Sequence, residues 1–108
     1  MAEELTKALF ESHKGRMFAV GNGSHLGLYL KLAEVIDAPD RFCRDSRGNL
    51  RMESFRVIFE GLVEADLPQE VYHLESAEGA VMDLLLVPIM TGRSDVRDYE
   101  AVINRLLT

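Results

Sequence analysis

Cys43 and the histidines His13, His25 and His73 are the residues of this chain best suited to breaking bonds. A thiolate beside an imidazole is a nucleophile with its base at hand. Cys43 sits between Phe42 and Arg44, and a neighbouring guanidinium lowers a thiol's pKa. The three histidines, however, fall at a helix end, in a turn and on the outward side of a strand, so nothing in the spacing gathers them around the sulfur. A lone cysteine then reads as a small apolar residue. A structural zinc site wants four ligands at recognisable spacing, and three scattered histidines with one cysteine do not supply it. Asp37, Asp40 and Asp45 share one loop but lack the glycine and terminal glutamate of a calcium loop. No catalytic, cofactor or metal residue is assigned on these grounds.

Two further groups have the right chemistry. Gly21, Gly23 and Gly27 resemble a phosphate cradle in spacing alone, because a dinucleotide fingerprint needs strand, turn and helix, and here a second alternating run follows. Asp83 stands in an otherwise apolar run, "AVMDLLLVPIM", on the face it shares with Val81, Leu85 and Val87. A carboxylate buried there costs several kcal/mol unless it is paired. That face is therefore expected to be partly solvated, or an arginine reaches it. A pocket around Asp83 with Tyr29, Tyr72 or His73 is the enzymatic or ligand-binding alternative. Arg41, Arg44, Arg47 and Arg51 fall within eleven positions of an acidic chain and offer bidentate forks to an acidic partner segment. Their other use is pairing with some of the 18 acids.

The elements that hold these groups follow from periodicity. Residues 4–14 read as a short helix with Leu5, Leu9 and Phe10 on one stripe and Gly15 after its end. From Arg16 the period drops to two. Phe18 and Val20 lead into Gly-Asn-Gly at 21–23, then Leu26, Leu28, Leu30 and Leu32 alternate with Gly27, Tyr29, Lys31 and Ala33. This predicts a hairpin with all four leucines facing the core. Adjacent Val35 and Ile36 suggest a bulge or the strand's end. Residues 37–51 are polar and hold Pro39 and Gly48, which makes them the longest loop. In "SFRVIFEG", Phe55, Val57 and Phe59 share one face, with Arg56, Ile58 and Glu60 on the other. In "EVYHLES", Tyr72 and Leu74 point inward and His73 and Glu75 outward, and residues 77–79 turn the chain into the run containing Asp83. Pro88 offers no N–H, so it belongs at a ladder's end or edge. For the C-terminal "SDVRDYEAVINRLLT", the stripe Val96, Tyr99, Val102, Ile103, Leu106 and Leu107 favours a helix, whereas Tyr99, Ala101 and Ile103 fit a strand.

Composition bounds the rest. At 108 residues, 47% hydrophobic and 28% charged, the chain is expected to form a single domain over residues 1–108 with one core. A net charge of -6 works against nucleic acid as partner. The absence of a long apolar run works against a membrane span, and the acidic N-terminus and single cysteine point to the cytoplasm.

The order F-x-V-x-F-x-G at 55–61, L-P-Q-x-x-Y-x-L at 67–74, Gly79, L-V-P at 86–88 and Y-E-A-V-x-N at 99–104 resembles a family of small bacterial domains of unknown function. Phe10, Gly15 and Phe18 match that family's opening, so nearly the whole chain is covered. The resemblance implies a mainly β domain of about six antiparallel strands, with residues 98–104 as a strand. It also implies proximity to proteins resembling phage tail-collar or tail-fibre proteins, beside which members are encoded. The arginine-bearing loop at 41–51 departs from the family, which is shorter or more apolar there.

Taken together, the expectation is a small antiparallel barrel or sandwich with a short N-terminal helix. Its core is Leu9, Phe18, Leu28, Leu30, Phe55, Val57, Phe59, Tyr72, Leu74, Leu84, Leu86 and Tyr99. The expected role is a non-catalytic interaction or structural accessory module, without a cofactor. The expected partner is a protein, a tail-collar-like one being the candidate, or a second copy that covers the apolar face of residues 80–90 and "VINRLL".

Overall fold

The computed structural model describes residues 5–21, 23, 26–39 and 43–107. His25, Asp40, Arg41 and the Asn22 of the glycine-flanked turn lie outside them.

Alternation of apolar residues does most of the building. Along β1 (Met17–Val20), β2 (Tyr29–Asp37), β3 (Met52–Gly61), β4 (Glu70–Ser76), β5 (Val81–Ile89) and β6 (Arg97–Leu106), inward and outward side chains alternate with the strand period. All six pair antiparallel and close a barrel in the order β1-β2-β3-β6-β5-β4. The ladders are unequal. β3 and β6 are in register over ten residues, from Met52 opposite Leu106 to Gly61 opposite Arg97. β5 and β6 pair only through Val87, Pro88 and Ile89 against Glu100, Tyr99 and Asp98. Residues 81–86 pair on β4 and residues 101–106 on β3. Pro88 thus stands near the end of the strand, inside the shortest ladder of β5, where a missing N–H costs little.

The interior is filled by Phe10, Phe18, Leu30, Leu32, Phe55, Val57, Phe59, Leu67, Tyr72, Leu74, Met82, Leu86 and Tyr99, each at most 2% exposed. Phe10 enters from α1 (Lys7–Ser12) and meets Phe55 edge-on at 5.6 Å. Thr6 caps that helix by accepting from Leu9 N at 3.1 Å. Lys7 ties it to the barrel end, its amide donating to Glu53 and its ammonium to Asp37 at 2.9 Å. The bond to Asp37 raises the Lys7 pKa. At six residues the helix is shorter than the expected 4–14, because a helix this short persists only where its side chains dock.

Several expectations need correction. Leu26 is 69% exposed in the turn before β2, so three of the four leucines face the core, Leu30 and Leu32 buried in it and Leu28 packed against it partly buried. The ladder begins at Ala19 opposite Tyr29, and beyond it Val20 N donates to Leu28 O and Gly27 N to Val20 O, both at 2.8 Å, so a two-residue turn does not join the strands. Leu9 is likewise only partly buried, and Phe10 takes its place inside. The bulge expected near Val35 lies between Leu32 and Glu34, and β2 continues beyond it to Asp37. The C-terminal segment is a strand. Its helical stripe fails because Val102 and Leu106 stand 60% and 73% exposed while Tyr99, Ala101 and Ile103 turn inward.

Candidate functional site

Two buried hydroxyls explain the tyrosines. Tyr72 and Tyr99 raise an otherwise apolar interior question, since each carries a polar tip that needs a partner. Tyr99 Oη accepts from Leu67 N and donates to Ala65 O, both at 3.0 Å, and Tyr72 Oη donates to Pro68 O at 2.6 Å. Both tyrosines thus fasten the turn that joins β3 to β4. Burial pushes both phenol pKa values up. The chemistry-bearing groups that remain lie on the outer wall and at the barrel ends.

His73 and Asp83 meet on the outer wall, as neighbours in register on β4 and β5. His73 Nδ1 is 2.9 Å from Asp83 Oδ1 and Nε2 is 3.1 Å from Glu75 Oε1. Only the imidazolium donates from both nitrogens. Asp83 and then Glu75 accordingly raise the His73 pKa. Tyr72 is on the other side of the wall, inside the core, and Tyr29 lies 61% exposed on β2. The wall therefore splits the Asp83, Tyr72 and His73 set: two of its members touch and the third faces away.

The arginine loop is more ordered than a long polar stretch suggests. Asp45 Oδ1 accepts from Arg47 N and Asn49 N, and its Oδ2 accepts from Arg51 Nε at 2.8 Å. Those bonds, Arg51 foremost, hold the Asp45 carboxyl below its usual range. Arg44 donates to Gly48 O at 2.9 Å. Residues 43–51 form a small folded turn in which Gly48 takes a φ of 81°, a backbone state that suits glycine. Arg44, Arg47 and Arg51 are all exposed on it. Arg41 lies outside the described residues. Beneath the turn Cys43 is buried and lines an end cleft of about 390 Å³ with Asp37, Glu53 and Leu107. His13, at the end of α1, lies 2.9 Å from Leu9 O through its Nδ1.

The site that sequence reasoning missed is Asp98. It is an outward-phase residue of β6, opposite Glu60 on β3 and Ile89 on β5, yet it is only 5% exposed. The strap after β5, residues 90–96, lies across it. Thr91 Oγ1 donates to Asp98 Oδ2, and Arg93 donates to Glu60 Oε1 at 2.9 Å, which pins the strap at two points. Asp98 Oδ1 is buried with no hydrogen-bond partner. A buried acceptor left so costs roughly 1–3 kcal/mol. Clefts of about 260 Å³ open on either side of the strap, and Asp98 is in the wall of both. One of them is lined also by Ile36, Ile58, Ile89 and Glu34. Ile58, expected on the outside, is outward in phase but only 7% exposed, because this corner of the wall is covered. No motif marks Asp98. The only signal was an acid at the second position of a strand whose inward residues are apolar.

Next to this corner the wall is apolar. Val71 and Leu85 are directly opposite each other on β4 and β5, at 57% and 49% exposed. Val102 and Leu106 continue the exposed set on β6. Among the described residues, no group of three or more His, Cys, Asp or Glu side chains is placed to hold a metal ion, and no helix is long and apolar enough to cross a membrane.

A family model described as Domain of unknown function (DUF6916) matches residues 5–103, and the chain belongs to that family. No curated protein and no solved structure matches it.

Proposed function

We propose that this member of a domain family of unknown function is a non-catalytic interaction module, and that it works through the outer wall of β4, β5 and β6. The observation that carries the reading is where the exposed aliphatic residues lie. Val71, Leu85, Val102 and Leu106 are exposed on strands whose other faces fill the core. Exposed aliphatic residues grouped on one rigid wall are what a protein partner buries. The shortness of the β5–β6 ladder adds to this, because residues 81–86 have ladder partners on β4 alone and residues 101–104 on β3 alone, and a strand edge left so accepts another chain.

The partner assigned to the wall is a tail-collar-like protein of a phage-tail-like assembly, met in the bacterial cytoplasm. That assignment is supported by the sequence resemblance alone. The exposed arginine turn, with Arg44, Arg47 and Arg51, gives such an assembly a second contact for acidic segments. A second copy of the chain is the other occupant that the apolar wall suits.

Co-purification of the chain with a tail-collar-like protein encoded beside it tests the reading. Leu85→Asp together with Val102→Asp is expected to weaken capture by at least about tenfold, since each buried aliphatic contact at an interface contributes roughly 1 kcal/mol or more. The melting temperature should stay put, as both side chains are exposed. Capture unaffected by the two substitutions, or no capture by the native chain, overturns it. A concentration-dependent dimer in sedimentation that the same substitutions abolish would replace the collar-like partner with a second copy.

A further inference from the structure

Resting on the reading of the outer wall as the working surface, we propose that the cleft beside the 90–96 strap is a socket for a lysine or arginine side chain of the partner, held by Asp98 and Glu34.

Charge pairing in the cleft leads to this. Of its carboxylates, Glu60 is taken by Arg93 at 2.9 Å, and the adjoining Glu100 is taken by Arg56 at 2.7 Å. Once those pairs are struck out, two carboxylates remain, Asp98 and Glu34. Glu34 is an exposed residue of the lining and has no partner among the described residues. Asp98 is a buried one, with Oδ2 held by Thr91 and Oδ1 without a donor. A buried carboxylate oxygen with nothing to accept is the rare case in folded proteins and calls for a donor. A donor that carries positive charge suits the cleft best, because its guanidiniums hydrogen-bond to other acids, Arg93 to Glu60 and Arg56 to Glu100, and Arg93 reaches Asp98 only through its charge.

The shape narrows the class. A divalent metal ion wants six or more oxygens gathered at one point, and among the described residues no three His, Cys, Asp or Glu side chains gather so. The same lining is also aliphatic, through Ile36, Ile58 and Ile89. A side chain with a methylene stem and a cationic head matches that mixture, its stem on the isoleucines and its head toward Asp98 and Glu34. Asp98 of the socket and the exposed Val102 are on the same outer face of β6, four positions apart with Glu100 between them. An extended partner segment along β6 thus reaches both. The net charge of -6 favours the approach of a basic segment.

Chemical-shift titration of the isotope-labelled chain tests this. The probe is a capped tripeptide with lysine between two valines, and the control replaces lysine with the neutral norleucine. The lysine peptide is expected to move the amides of Thr91, Gly92 and Asp98 in a saturable way, and the norleucine peptide to bind about tenfold more weakly, as the loss of one charge-assisted hydrogen bond implies. Asp98→Asn should abolish most of that difference. Glu34→Gln, at an exposed site that cannot disturb the fold, should remove a smaller share. Equal binding of the two peptides, lysine binding that survives Asp98→Asn, or no movement of those amides overturns the socket. Cadaverine moving them as strongly as the peptide overturns the assignment to a partner chain in favour of a free amine. If the apolar-wall substitutions still abolish partner capture while the peptide moves nothing, the socket fails and the outer-wall reading stands.

Discussion

The turn at residues 62–69 and the strap at residues 90–96 both fold back over the barrel, and they treat buried polar atoms in opposite ways. Under the turn, the hydroxyls of Tyr99 and Tyr72 meet Leu67 N, Ala65 O and Pro68 O at 2.6–3.0 Å. Under the strap, one carboxylate oxygen of Asp98 is matched by Thr91 and the other by nothing. The first arrangement is complete and serves the fold. The second leaves an acceptor that something else must fill, and that difference separates architecture from a site.

Substitutions can break or sharpen this contrast. Tyr99→Ala should cost the most, about 3–5 kcal/mol by chemical denaturation, because it empties a fully buried ring's volume and frees the turn. Tyr99→Phe isolates the hydroxyl and should cost roughly 1–3 kcal/mol, since Leu67 N and Ala65 O are then left without their partner. Gly61→Ala attacks the same ring from the other side. Its new Cβ would lie 2.7 Å from Leu30 Cδ2 and 3.4 Å from Tyr99 Cε2, so an overpacking loss of about 1–3 kcal/mol is expected. Asp98→Asn should lie within about 1 kcal/mol of the native chain, because the amide oxygen keeps the Thr91 bond and a buried charge is removed. A loss as large as that of Tyr99→Phe would make Asp98 a structural acid and end the contrast.

The smallest effect is one of pH. The folded state holds the His73 pKa above that of the unfolded chain, through Asp83 first and Glu75 second. The folded state therefore binds the proton more tightly. This contribution is complete below the unfolded pKa and fades as pH rises through the higher folded one. Denaturation midpoints across that window should fall slightly for the native chain and not for His73→Gln; equal slopes would show the pair to be spent on solvent.

Most of the barrel was legible because alternation is a local signal. Phe55, Val57 and Phe59 or Tyr72 and Leu74 declare their side of a strand without reference to anything distant. The C-terminal strand was not legible in that way, for Val102 and Leu106 complete a helical stripe that only the resemblance to a β family outweighed. The six-stranded antiparallel barrel and the short helix agree with the expectation, and of the four leucines Leu26 alone fails, because it lies in the turn before β2, whereas Leu28 packs partly buried against the core. Asp98 was invisible for a different reason. Its burial comes from a strap that crosses the strand's outer face, and no periodicity within β6 records what a later fold of the chain lays on top. Arg44 and Arg51 illustrate the converse, since their spacing was plain but their use within the turn of Asp45 depends on three-dimensional proximity.

Three of the barrel's six seams, β1–β2, β1–β4 and β5–β6, are closed by ladders of three residues, against ten between β3 and β6. Parting a short seam breaks far fewer main-chain bonds than parting β3 from β6, so excursions from the native state should begin on either side of β1 or between β5 and β6 while the long ladders persist. Amide hydrogens along β3 should then exchange slowest, and those of the short ladders, Ile89 among them, fastest among strand residues. A ring that opens at a short seam becomes a curved sheet without losing its longest pairings.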